Sequence, residues 1–218
     1  MRSDPFQMAM IHRAFRVEFG NLPGLIRAVS PGDTKRSRFV GNYLDNMILV
    51  LHHHHAAEDA LLWPTLYERI PICDHEIQRA KDEHVGIAKL IGNIQSLRPS
   101  WSGSAEPRLA EQLSSAVAQL SVDANEHFDY EEQLVVPLIG EYIAPEEWQA
   151  FIDRGAAYVN PRNLWFALAY AGVLLRDATP DERRRFDAAL PFALRTVLKL
   201  LGGRAYARYQ TELCGGPA

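Results

Sequence analysis

Cysteine is scarce in this 218-residue chain: Cys73 and Cys214 are the only two, far apart and in no CxxC pair. That excludes a disulfide framework and a thiolate metal site, and suits a reducing compartment. No apolar run is long enough for a bilayer; the longest, Leu164 to Leu175, is too short. The opening Met1-Arg2-Ser3-Asp4-Pro5 carries no apolar signal region. No excess of positive charge is present either, since the net charge is -4. Binding to nucleic acid or to an anionic membrane by bulk electrostatics is therefore not expected. The expectation is a cytoplasmic protein with no membrane span and no nucleic-acid partner. Hydrophobic residues make up 47% of the chain, enough to bury a sizeable core.

Strand-like alternation is missing as well, and apolar residues instead recur at three and four. Met8, Ile11, His12, Phe15, Phe19, Leu22 and Ile26 define a first helix, with Asp4 as cap and Pro5 in its first turn. Ser30-Pro31-Gly32-Asp33 breaks it. A second helix runs from Thr34 to about Ile70, with Leu44, Met47, Leu51, His54, Glu58, Leu61 and Thr65 on one face and Pro64 expected to kink it. After a break at Pro71, a third helix starts near Asp74. Its face is Ile77, Lys81, His84, Ala88, Ile91 and Ile94, and it stops before a loop at 99–104. The fourth starts near Glu106-Pro107 and carries the seam Leu113, Val117, Leu120, Ala124, His127, Glu131, Leu134 and Leu138. The fold class expected is all-α, an up-down-up-down four-helix bundle over residues 1–143. A helical extension over 144–218 follows, with Pro145 opening a helix, Asn160-Pro161 a break, a capping box at Thr179-Pro180-Asp181-Glu182, and Gly202-Gly203 ending the last apolar stretch. Its apolar segment Leu164–Leu175 must pack on the bundle, on another copy of the chain as a homodimer, or as a cover over the site.

One pattern occurs twice: His54-x-x-x-Glu58 followed by Pro64, and His127-x-x-x-Glu131 followed by Pro137, in register without a gap. Residues four apart share a helical face, so each copy projects an imidazole and a carboxylate from neighbouring turns. One such pair is ordinarily a solvated ion pair. Two in-phase copies on apolar faces, with His12 and His84 on the other two helices, would bury charge at a cost that a cation removes. Counting along the helices from the breaks at Pro31 and Pro71 brings His12, His54 and His84 within about one turn of a common level; the mismatch for His127 is larger, but the long loop before its helix absorbs it, so all four are expected in one layer. The expected metal ligands are His12, His54, Glu58, His84, His127 and Glu131. Imidazole and carboxylate without thiolate suit iron, manganese or zinc, and two carboxylates among four histidines suit two ions. His55 and Asp59 repeat the spacing one residue on, so the register of the second helix stays open. Asp59 and Glu132 are either outer partners of the ligands or surface acids. His52 and His53 are expected to face solvent or a neighbouring helix. His75 lies roughly 13 Å from His84 along its helix, too far for one site. Tyr43, Tyr130 and Tyr170 are candidates to reach the site, and no catalytic residue is singled out.

On His12, His54-x-x-x-Glu58, His84, His127-x-x-x-Glu131, Pro64 and Pro137, the chain resembles the hemerythrin-like, HHE cation-binding family over roughly residues 1–143. The resemblance implies two iron ions, oxo- or hydroxo-bridged, and a small oxidant (peroxide, O₂ or NO) as partner. Its functions range over O₂ binding, sensing, peroxide or NO chemistry, and iron storage or repair. The oxygen carriers of the family have a second histidine one turn from the helix-three ligand, where this chain has Ala80 and Ala88. That favours peroxide breakdown, a catalase-like reaction in a setting of oxidative stress, over reversible oxygen carriage. The alternative is O₂ or NO binding or sensing without turnover.

Overall fold

The computed structural model describes residues 3–70, 74–159 and 163–214. Among them the chain is helical with no strand. It divides into two compact units: Met1–Pro5 with Phe15–Tyr158, and Phe6–Ala14 with Val159–Ala218. Helix α1 (Phe6–Arg27) runs unbroken through both. Its N-cap position is Pro5 rather than Asp4. No helix among the described residues is long and apolar enough to cross a membrane.

The first unit is an up-down-up-down bundle of α1, α2 (Thr34–Ala57), α4 (Asp74–Ser104) and α5 (Pro107–Tyr130), with α3 (Trp63–Arg69), α6 (Val136–Tyr142) and α7 (Pro145–Gly155) continuing or covering it. Asp33 starts α2 by accepting the Arg36 N–H at 2.9 Å. The breaks at Pro71 and at Asn160-Pro161 lie outside the described residues.

Pro64, expected to kink its helix, and Pro137 are each preceded by a turn of wider helix. Glu58–Leu62 and Glu131–Val135 are each a single π turn. Trp63 N–H bonds to Glu58 C=O and Val136 N–H to Glu131 C=O, five residues apart rather than four. Pro64 and Pro137 have no N–H to give an ordinary helical bond back to Ala60 and Gln133. A π turn inserts one residue into the helical count there. Everything downstream rotates by that residue. The buried positions are Leu62 and Leu66, not Leu61 and Thr65, and Val135 and Ile139, not Leu134 and Leu138.

Helix α4 also differs from expectation. It passes through Pro99 and ends only at Ser104, so 99–104 is not a loop. Burial of Trp101 explains this, together with a reciprocal pair in which Ser37 Oγ donates to Ser102 C=O at 2.9 Å and Ser102 Oγ to Ser37 C=O at 3.4 Å. These contacts outweigh the bond lost at one proline. Ala105, at φ 50°, then closes the helix, its N–H bonded to Trp101 C=O at 2.7 Å. The buried face of α4 uses Ala80 and Ile87, while Lys81 and Ala88 are exposed.

The second unit contains α8 (Leu164–Arg176), α9 (Pro180–Ala189), α10 (Phe192–Val197), a π turn at Leu198–Gly202 and α11 (Gly203–Cys214). The capping box is formed: Thr179 Oγ1 accepts from Glu182 N–H at 3.2 Å, and Glu182 Oε2 from Thr179 N–H at 2.7 Å. Glu182 also pairs with Arg13 at 3.0 Å, and the Arg185 guanidinium lies over the Phe6 ring. Gly172 lets α8 approach α11 closely, since a Cβ there would come within 2.6 Å of Tyr206. Leu168, Ala169, Tyr170 and Val173 of α8 are buried, but Leu164 and Trp165 are exposed. Beyond the apolar stretch that Gly202-Gly203 closes, the chain stays helical, with α11 starting at Gly203 and reaching Cys214.

Candidate metal centre

His54, Glu58, His84, His127 and Glu131 are all buried, as is His12 on α1. The ligand atoms of His55, Glu58, His84 and His127 lie within 4.8 Å of one another, and so do those of His54, Glu58 and Glu131. Glu58 belongs to both. Phe15, one turn on from His12 in the same helix, packs 5.7 Å from His54 between ring centroids. The level of His127 follows from the corrected end of α4. His84 lies 20 residues before its last residue, and His127 lies 20 residues after the first residue of α5. The two imidazoles therefore meet, Nε2 to Nε2, at 3.1 Å.

Both residues of the open register are used. His54 Nε2 is 3.3 Å from Glu58 Oε1, while the His55 ring stacks on His84 with centroids 4.1 Å apart. Adjacent helical residues are separated by about 100° around the axis, so a site seated between two neighbours of α2 can receive both. His55 is thus a fifth buried histidine beside His12, His54, His84 and His127. The doubled spacing His54/Glu58 and His55/Asp59 was its sequence signal.

Two carboxylates orient the facing pair. Asp59 Oδ1 accepts from His84 Nδ1 at 2.9 Å and Glu83 Oε2 from His127 Nδ1 at 3.0 Å. A carboxylate only accepts, so both Nδ1 atoms carry protons and both Nε2 atoms are turned to the centre. Glu83 is itself held by Arg79 at 2.7 Å. Nothing in the sequence separated Glu83 from an ordinary surface acid. Asp59 and Glu132, equivalent in the two repeats, part company: Asp59 serves His84, whereas Glu132 pairs with Arg16 at 2.7 Å beside an Arg16–Asp129 pair at 2.6 Å.

The charges at the core are unequal. Burial raises the Glu131 carboxyl well above the usual range, and the Glu58 charge adds to that. Burial would also raise Glu58, but His54 and His84 overcome it and hold Glu58 below its ordinary value. Burial works against the His84 imidazolium, yet Asp59 and Glu58 prevail and lift it to about 9. Without a metal, burial thus favours the neutral form of Glu131 while the histidines favour the charged form of Glu58.

Aromatic rings wall the site: Phe15 stacks on Phe128 at 5.6 Å, Phe151 of α7 lies 6.4 Å from His54, and Trp63 lies 6.0 Å from His84. The three tyrosines are occupied otherwise. Tyr43 donates to buried Glu18, Tyr130 to Glu76 C=O at 3.2 Å, and Tyr170 is buried in the second unit. His52 and His75 are exposed and His53 is half-buried beside Tyr158.

These residues suit a metal ion on three counts. Neither Glu58 oxygen receives a hydrogen bond although the side chain is fully buried. Two Nε2 lone pairs 3.1 Å apart repel unless a cation or proton lies between or beside them. The donors are imidazole and carboxylate only. The family model described as the hemerythrin HHE cation binding domain matches residues 7–143. No curated protein and no solved structure matches the chain.

Proposed function

Since the chain belongs to the hemerythrin HHE cation-binding family, we propose that it holds two iron ions and handles a small oxidant, with peroxide breakdown (two H₂O₂ giving two H₂O and O₂) as its reaction. The observation that supports this is the pair of imidazole and carboxylate sets of the first unit that share Glu58. Two irons there would supply a two-electron couple and exchangeable positions. The protein's own part is positioning and exclusion. Asp59 and Glu83 fix the His84 and His127 tautomers, so that both Nε2 atoms face the centre. Phe15, Phe128 and Trp63 keep bulk water from the buried carboxylates. Glu131 retains a proton while the centre is metal-free and yields it when a cation arrives.

A second reading, O₂ or NO binding without turnover, is favoured by His55, which adds a histidine and leaves fewer exchangeable positions. Oxygen evolution on adding peroxide to the iron-loaded protein separates the two. Sustained evolution supports breakdown. A long-lived spectrum that reverses over repeated deoxygenation, without evolution, supports binding. Failure to retain any metal refutes both.

A further inference from the structure

A cavity of about 370 Å³ opens between α3 and α4 in the first unit, lined by Trp63, Pro64, Tyr67, Ile77, Gln78 and Lys81. None of these is a candidate metal ligand. Its volume lies in the range of small-molecule sites. Two of its groups are left with donors unused. Trp63 is 1% exposed and its Nε1–H has no hydrogen-bond partner. A buried indole N–H ordinarily finds one. Lys81 has no ion-pair partner among the described residues. Of the acids next in sequence, Asp82 accepts from Gln78 Nε2 at 2.9 Å and Glu83 is held by Arg79 and His127. The rest of the lining is flat and apolar: an indole, a phenol ring, a proline ring and Ile77.

Unused donors ask for an acceptor, an ammonium asks for negative charge, and flat apolar walls ask for a planar ring. We propose that this cavity binds a small planar aromatic anion, such as an aromatic carboxylate, with its charged group towards Lys81 and the Trp63 Nε1–H and its ring against Tyr67 and Pro64. Of the lining groups, the Trp63 ring also packs on His84, at 6.0 Å. An occupant would therefore sit one side chain from the candidate centre without touching it.

The test uses the full-length metal-free protein and 4-hydroxybenzoate, so carboxylate coordination to an ion cannot contribute, and a negative result leaves the iron reading untouched. Calorimetric titration should give saturable one-to-one binding, and the indole N–H resonance of Trp63, identified by its loss in Trp63→Phe, should shift. Lys81→Ala should weaken binding about fivefold, the upper range for an exposed ion pair. The uncharged 4-hydroxybenzamide should be weakened alike, and Tyr67→Ala and non-planar cyclohexanecarboxylate should also bind less well. Both substitutions are at exposed positions, and unchanged circular dichroism confirms an intact fold. No saturable binding up to the solubility limit would overturn the proposal. So would equal affinity across wild type, both variants and the amide, or a shift in other indoles but not Trp63.

Discussion

His84 and His127 come from neighbouring helices and meet Nε2 to Nε2 at 3.1 Å, each pinned from behind by a carboxylate on its Nδ1. Two neutral imidazoles do not settle in that way by themselves. The arrangement is held ready for a positive charge, and most of what can be tested about this protein follows from it.

Ligand variants should sort by set. After reconstitution with iron, His54→Ala, His55→Ala and Glu131→Ala should each lose at least half of the bound metal relative to wild type, whereas exposed His75→Ala should keep it. Elemental analysis decides this. Full retention in His55→Ala would reduce the contribution of α2 to His54 and Glu58.

The carboxylates behind the imidazoles should matter without touching metal. Glu83→Ala and Asp59→Ala should weaken metal affinity roughly 10–100-fold, as loss of such partners usually does. Glu83→Gln, whose amide oxygen still accepts from His127 Nδ1, should recover part of the loss. Competition with a chelator measures all three. Equal affinity in Glu83→Ala and wild type would assign Glu83 to the surface pair with Arg79 alone.

Metal-free protein should become less stable as pH rises from 6.5 to 9. His84 keeps its proton in the folded state up to about 9, against 6.5 unfolded. Its stabilisation is therefore complete below 6.5 and lost through 9. Glu131, raised above its ordinary 4.5, also holds a proton that the unfolded chain has released, and so acts in the same direction. Glu58 is depressed and contributes stability lost only as pH falls towards acid, below this window. Urea midpoints across the window test the sign. Glu131→Gln, a neutral isostere, should be at least as stable as wild type without metal. With metal bound, the trend should reverse, because protons then compete with the ion.

The π turns give a prediction about chain length. Deleting exposed Ala60 should return the helix to an ordinary count while Leu62, Trp63 and Leu66 keep their buried positions. It also places the proline in a helix interior, at a cost of about 3 kcal/mol. Deletion of Ala60 together with Pro64→Ala should then be markedly more stable than the deletion alone, as melting temperatures would show. Equal melting temperatures would mean that the π turn has some cause other than the proline.

The same turns mark how far the sequence could be read. Periodicity located the four bundle helices, and the in-phase repeats located His54, Glu58, His127 and Glu131 at the core. Up to the two glutamates the seams are those expected. Beyond them each slips by one residue, from Leu61 to Leu62 and from Leu134 to Val135, because a period of three and four cannot register an inserted residue. Pro99 misled in the opposite way. A local breaker was overruled by burial of Trp101 and by the Ser37–Ser102 pair, which are long-range facts. Glu83 was illegible, and the choice between His54 and His55 stayed open, for a related reason: which of several adjacent polar residues turns inward depends on where the neighbouring helix lies.

Cys214 is exposed and free, and Cys73 lies outside the described residues, so no covalent cross-link ties the described helices together. The set formed by His55, Glu58, His84 and His127 joins segments that are far apart in the chain. An ion seated there would act as a removable staple, closing long loops in the way a disulfide does but reversible by a chelator. The bundle would then loosen or tighten with the supply of metal, and its resistance to proteolysis would report how much metal is at hand.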